Sequence, residues 1–119
     1  MKEIILKMDS PEEAAQMVLV LFKNGFKTRK ATIHYNIRKP PTLRIKKLAD
    51  YPLILEGLLN DHEIRVAVSP LAVGYSCAGA YALYKILKAA HFHIEDKDLL
   101  TLRKFNQDTG CVHFTLTLG

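Results

Sequence analysis

The chain has 119 residues, of which 49% are hydrophobic and 24% are charged, and its net charge is +5. This length and composition suit one globular domain with a sizeable core, and they exclude a chain too polar to fold. No apolar run approaches the roughly 18 residues of a membrane span, and two cysteines are too few for a disulfide framework, so we expect a reduced, cytoplasmic protein with no membrane partner.

The positive charge is concentrated in one segment. No Asp or Glu occurs from residue 14 to residue 49, whereas nine Lys or Arg residues do. The remainder of the chain carries eight cations against 12 acids, a net charge of −4. Such segregation favours an interaction between the basic segment and an anionic partner.

The first predicted elements are a strand at residues 3–8 and a helix that follows it. Ser10 and Glu13 have the spacing of a capping box, and Pro11 stands at the first helical position, where proline is tolerated. Apolar residues then recur at helical spacing as far as Phe22. We expect Gly25 to end this helix in the left-handed conformation.

Two segments with alternating polarity come next. In residues 30–38 the outward positions are Lys30, Thr32, His34, Asn36 and Arg38, and in residues 42–47 they are Thr42, Arg44 and Lys46. Residues 39–41 (KPP) have a turn composition, so we predict that the two strands pair as a hairpin. A short helix at about residues 50–60 is then expected, although Gly57 lies inside it.

The second half repeats this order of elements. We predict a strand at 63–70, a loop at 69–79, a helix at 77–92 and a last strand at 111–118, whereas residues 97–106 suit either a strand or a helix. The pattern predicts an internal duplication, with half-repeats at 1–48 and 62–119 in one domain, 1–119. The expected fold is α+β, a two-layer sandwich of two pseudo-repeated strand-helix-strand-strand units, mainly antiparallel, with helices on one face.

The basic hairpin is the strongest functional signal. It would present its cations on one solvent-facing surface, formed by Lys30, His34, Arg38, Lys39, Arg44 and Lys46. We therefore expect a nucleic-acid-binding protein, RNA before DNA, that contacts the phosphate backbone, because no exposed pair of aromatic residues is evident for base stacking. The alternative is a solvated face whose lysines protect an edge strand.

The loop at 69–79 offers a second hypothesis, an anionic or phosphorylated ligand held by a ligand-binding protein or an enzyme. The candidate residues are Gly74, Tyr75, Ser76, Gly79 and His93. A glycine-rich turn before a helix can expose backbone amides to an anion, but the loop matches neither a dinucleotide fingerprint, a P-loop nor a nucleophile elbow. The structural alternative is that Ser76 caps the helix and Gly79 allows close packing.

No catalytic residue, metal site or cofactor is predicted. His93, Cys111 and His113 could form a mixed nitrogen and sulfur site only if their strands were neighbours, and the sequence does not establish this. A third hypothesis is a non-catalytic assembly module whose outward sheet face forms a homodimer. We find no family motif in the sequence.

Overall fold

The structure, a computed structural model, describes residues 1–36, 45–73, 78–94 and 111–118, except for the side chains of Asn36 and Cys111. These residues form five strands, two α-helices and a single-turn 3-10 helix at Leu48–Asp50. The strands are β1 (Lys2–Lys7), β2 (Lys27–Asn36), β3 (Leu53–Leu59), β4 (His62–Ser69) and β5 (Cys111–Thr117), and the helices are α1 (Pro11–Lys23) and α2 (Ala78–Ala89).

The described strands form one mixed sheet in the order β1-β4-β3-β2-β5. β1 pairs with β4 in parallel, whereas the other neighbouring strands are antiparallel. β2 therefore lies inside the sheet, with β3 along one edge and β5 along the other.

Both α-helices pack on the same face of the sheet. Alternate residues of the strands, such as Ile33, Leu55 and Val66, join Val18 of α1 and Leu83 of α2 in one buried cluster. The opposite face of the sheet, called here the open face, carries the intervening side chains. This confirms the predicted α+β class, with a mainly antiparallel sheet and helices on one face.

The beginning of α1 confirms Ser10 as its N-cap. The Ser10 Oγ atom accepts a hydrogen bond from the Glu13 amide at 3.2 Å, and Pro11 is the first helical residue. The Ser10 side chain satisfies a backbone donor that has no partner inside the helix, and Pro11 has no backbone N–H that needs a partner.

The two helices end in the same way. Gly25 has a φ of +98°, and the Phe26 amide donates to the Leu21 carbonyl at 3.0 Å. At the end of α2, His91 has a φ of +72°, and Phe92 donates to Leu87 at 3.1 Å. Both ends have the Schellman pattern. The internal duplication itself stays a prediction. Within the described ranges, neither helix is long and apolar enough to span a membrane.

The predicted helix at 50–60 is wrong, because this segment forms β3. β3 and β4 make a hairpin whose two-residue turn, Asn60-Asp61, has φ values of 51° and 65°. Asn and Asp tolerate this left-handed conformation better than most residues, and two such residues in succession are typical of a tight hairpin turn. The first half-repeat was predicted to end at residue 48, whereas β3 continues the sheet at Leu53–Leu59.

The predicted strand at 42–47, which was expected to pair with 30–38, is wrong in its described part, residues 45–47. β3 pairs with β2 from Lys27 to Ile33 on one edge, and β5 pairs with it from Lys30 to Asn36 on the other. Residues 45–47 lie outside the strands and lead into the 3-10 helix. Residues 42–44 and the segment at 97–106 lie outside the described residues.

Candidate functional site

The open face contains two of the residues predicted to bind nucleic acid. Lys30 and His34 lie on it, opposite the helices, as the alternation along β2 predicted, because Ala31 and Ile33 are buried on the other face. Lys46 is exposed in the bend before the 3-10 helix. Arg38, Lys39 and Arg44 lie outside the described residues.

Lys30 belongs to a row of alternating charges that crosses four strands, called here the ion-pair row (Glu3, Lys30, Glu56 and Arg65). The strand register places the four residues side by side. The Arg65 Nε and Nη2 atoms each lie 2.9 Å from Glu56 Oε1, and Lys30 Nζ lies 3.6 Å from Glu56 Oε2. A longer contact of 3.8 Å joins Arg65 to Glu3. The row has no net charge, so Lys30 does not contribute an unbalanced cation.

The other end of β2 has a different electrostatic character. Residues 37–50 contain five cations and a single acid, Asp50. The Asp50 Oδ2 atom accepts hydrogen bonds from the backbone amides of Lys46 and Lys47, at 3.0 and 3.2 Å. The Lys46 hydrogen bond is the main reason that the pKa of Asp50 is lowered. Asp50 also interacts with Lys47 through its charge, and the side chains of both lysines are exposed.

His34 faces His113 across the neighbouring strand, and the two are called here the histidine pair. They are directly opposite in the β2–β5 register, and their Nδ1 atoms are 3.3 Å apart. The rings meet edge to face, with centroids 5.4 Å apart and planes at 69°. Two imidazoles at this distance share a hydrogen bond if one of the nitrogens carries a proton.

The surroundings of His34 favour its neutral form. Burial lowers the pKa of His34, and His113 lowers it further, whereas the nearby Asp50 carboxylate acts in the opposite direction. A neutral imidazole attracts phosphate much less than an imidazolium does. We therefore do not retain His34 as a phosphate contact at neutral pH.

The second predicted site lies only partly within the described residues. Gly74, Tyr75 and Ser76 lie outside them, so their proposed contact with a ligand stays a prediction. Gly79 is buried in the first turn of α2, where a Cβ atom would lie 2.9 Å from both the amide nitrogen and the Cβ of Ala72. Close packing of α2 against the preceding segment is thus a sufficient reason for glycine at this position.

His93 lies exposed just beyond α2. Cys111 pairs along the backbone with Asn36, two residues before His113 in β5. The grouping of His93 with Cys111 and His113 stays a prediction.

The histidine pair and the ion-pair row were not predicted. Both depend on strand neighbours, and the sequence indicated a helix where β3 lies and placed no strand beside His34 except 42–47. The available signals were the Asn60-Asp61 turn and the alternation of 111–118, which places His113 opposite the apolar face. No protein-family model, curated protein or solved structure matches this chain.

Proposed function

We propose that this protein binds nucleic acid, RNA before DNA, through the basic segment, defined as residues 38–47. The observation that supports the proposal is the exposure of Lys46 and Lys47 in a stretch whose single nearby acid, Asp50, accepts hydrogen bonds from their backbone amides. The side-chain ammonium groups are left to attract phosphate. Residues 37–50 have a net charge of +4, which is most of the excess of the whole chain.

The interface differs from the one that the sequence alone suggested. Lys30 is balanced by Glu56, and His34 is held near His113 in an environment that favours its neutral form. We therefore assign phosphate contacts to Arg38, Lys39 and Arg44 together with the two lysines, and not to the open face of β2.

The expected recognition is of the phosphate backbone and not of base identity. The aromatic residues of β2 and β5, Tyr35 and Phe114, pack against the core on the helix side of the sheet. In the described part of these two strands, no aromatic side chain other than the histidine pair faces the open side. Without a stacking platform, affinity comes mainly from counterion release and depends weakly on sequence.

The test is a fluorescence-anisotropy titration with labelled single-stranded RNA and DNA of random sequence at several salt concentrations. About five phosphate contacts predict a slope of log K against log salt of about −3.5 for single strands. The double variant K46E/K47E should weaken binding by more than about tenfold at low salt. The absence of binding at low salt would overturn the proposal.

A matched control separates a local interface from a general effect of charge. K27E/R29E makes the same change of charge at the opposite end of β2, where both side chains are also exposed. The proposal requires a clearly smaller loss for this variant. Equal losses in the two double variants would show that net charge, and not the basic segment, determines binding.

A further inference from the structure

We propose that the histidine pair is a binding site for a divalent transition-metal ion of the zinc class, coordinated by the Nδ1 atoms of His34 and His113. The distance between these atoms, 3.3 Å, is the observation that points to an ion. In a tetrahedral site with zinc–nitrogen bonds of 2.0–2.1 Å, two ligand atoms lie about 3.3–3.4 Å apart. The two nitrogens are already at this separation.

The sheet brings the two imidazoles together without distortion of the backbone. The His34 amide donates to the Pro52 carbonyl at 3.1 Å, on the side of β2 that faces β3. His34 and His113 therefore form a non-hydrogen-bonded pair of the β2–β5 ladder, the type in which opposite side chains approach most closely. Because β2 is held along both edges, His34 has a fixed backbone position.

The electrostatic surroundings are compatible with a cation in place of a proton. Metal binding requires neutral imidazoles, so the ion would occupy the place of a proton between the two Nδ1 atoms. Asp50 also interacts with His34, and Lys47 acts on Asp50. The carboxylate stabilises positive charge at the pair, and the lysine partly offsets it. Each imidazole would keep its remaining proton on Nε2.

The ligand set selects the class of ion. Imidazole nitrogens favour Zn²⁺, Ni²⁺ and Cu²⁺, whereas Mg²⁺ and Ca²⁺ require oxygen ligands. Within residues 1–36, 45–73, 78–94 and 111–118, no group of three histidine, cysteine, aspartate or glutamate side chains is placed to hold a metal. The described residues thus supply two ligands, and water would occupy positions that remain open.

The competing explanation is a simple hydrogen bond between two neutral histidines, which has the same separation of the nitrogens. The two explanations differ in their response to added metal. A hydrogen bond between imidazoles predicts no specific uptake, whereas a metal site predicts that the shared proton moves from Nδ1 to Nε2 of the same ring, through water, and that Zn²⁺ binds both Nδ1 atoms.

The test uses the untagged, ¹⁵N-histidine-labelled full chain, titrated with ZnCl₂ and observed through its imidazole nitrogen resonances. The proposal predicts coordinated changes at Nδ1 of His34 and His113 that EDTA reverses and MgCl₂ does not produce. Unchanged Nδ1 resonances of both residues at millimolar Zn²⁺, or changes limited to the other histidines, would overturn it.

Two matched double variants quantify the site by calorimetric titration with Zn²⁺. H34Q/H113Q should lower the affinity by at least about tenfold, because even supporting residues of metal sites can contribute that much. H62Q/H91Q removes two exposed histidines and should bind as the wild type does. The reverse order of effects would contradict the proposal. Circular dichroism identifies a variant that has not folded, in which case the resonances of the wild-type chain decide the question.

Discussion

The two ends of β2 differ in how their positive charge is balanced. Near its beginning, Lys30 takes part in the ion-pair row with Glu56 and Arg65, in a fixed register across the sheet. Near its end, the chain continues into the basic segment, where one carboxylate, Asp50, accepts hydrogen bonds from backbone amides and acts on Lys47 through its charge, against five cations in residues 37–50. The two ends therefore offer different surfaces to an anion, although both lie in the same acid-free stretch of sequence.

This difference shows that segregation of charge along a sequence is not segregation on a surface. Glu56 and Arg65 lie outside the acid-free stretch in sequence, yet the strand order places them beside Lys30. Partners supplied by the sheet cancel charge at one end only. A cationic residue is therefore a useful indicator of binding only after its cross-strand neighbours are known.

The largest expected effect comes from disrupting the backbone at the compensated end. A Cβ atom added at Gly57 would meet the Lys27 carbonyl oxygen and would lie 2.9 Å from the Thr28 Cα atom. These are backbone atoms beside a bulge in β2, so the strands would have to move apart. We expect Gly57→Ala to lower the free energy of unfolding by about 3 kcal/mol, measured by urea denaturation.

Gly25→Ala is the control for this variant. Gly25 has a φ of +98° but no neighbour within 4 Å of an added Cβ, so its substitution adds conformational strain and no collision. We expect a loss of about 1 kcal/mol. A Gly57→Ala protein that is more stable than Gly25→Ala would show that the two strands are not in such close contact.

The next largest effect comes from removing the carboxylate that Lys30 and Arg65 share in the ion-pair row. It tests whether this carboxylate causes the difference in charge between the two ends of β2. Glu56→Gln keeps the shape of the side chain but leaves Lys30 and Arg65 without their shared carboxylate. We expect a loss of stability of about 1 kcal/mol, since the group is only partly shielded from water. The affinity for single-stranded RNA should rise several-fold, because the compensated end becomes cationic.

Glu63→Gln is the matched control, because it makes the same change of net charge at an exposed position of β4. Anisotropy titrations of the two variants at one low salt concentration provide the comparison. If Glu63→Gln raises the affinity as much as Glu56→Gln does, the ion-pair row is not what keeps this end of β2 from binding.

Local signals predicted the parts of the fold that depend on neighbours in sequence. The capping of α1 by Ser10, the left-handed end at Gly25 and the two faces of β2 are determined within a few residues, and all three were predicted correctly. Residues 50–60 were assigned to a helix because Asp50 and Pro52 are typical of a helix start. The turn at Asn60-Asp61 was the stronger signal for a hairpin.

The candidate site required information that is not local. His34 and His113 are 79 residues apart, and their contact depends on the pairing of β5 with β2, which the sequence did not indicate. The position of both histidines on outward strand faces was predictable, but their strand neighbours were not. Without β5 as a known neighbour of β2, His113 could not be placed beside His34.

The smallest effect concerns the histidine pair and the pH dependence of stability. Because the pKa of His34 is lower in the folded protein than its ordinary value of 6.5, protonation favours the unfolded chain. Stability should be complete above pH 6.5 and should decrease as the pH falls below it. The decrease should be small, since the half-buried ring is partly screened by water.

The measurement is the free energy of unfolding by urea between pH 7.5 and about pH 5.5, above the range in which carboxylates titrate. His34→Gln should remove the slope in this window, because Asp50 and His113 would then have no imidazole at position 34 with which to interact. His62→Gln removes an exposed histidine beside the β3–β4 turn and should keep the slope of the wild type. A slope that survives in His34→Gln would mean that another group senses the proton, and the two ends of β2 would then differ in charge balance alone.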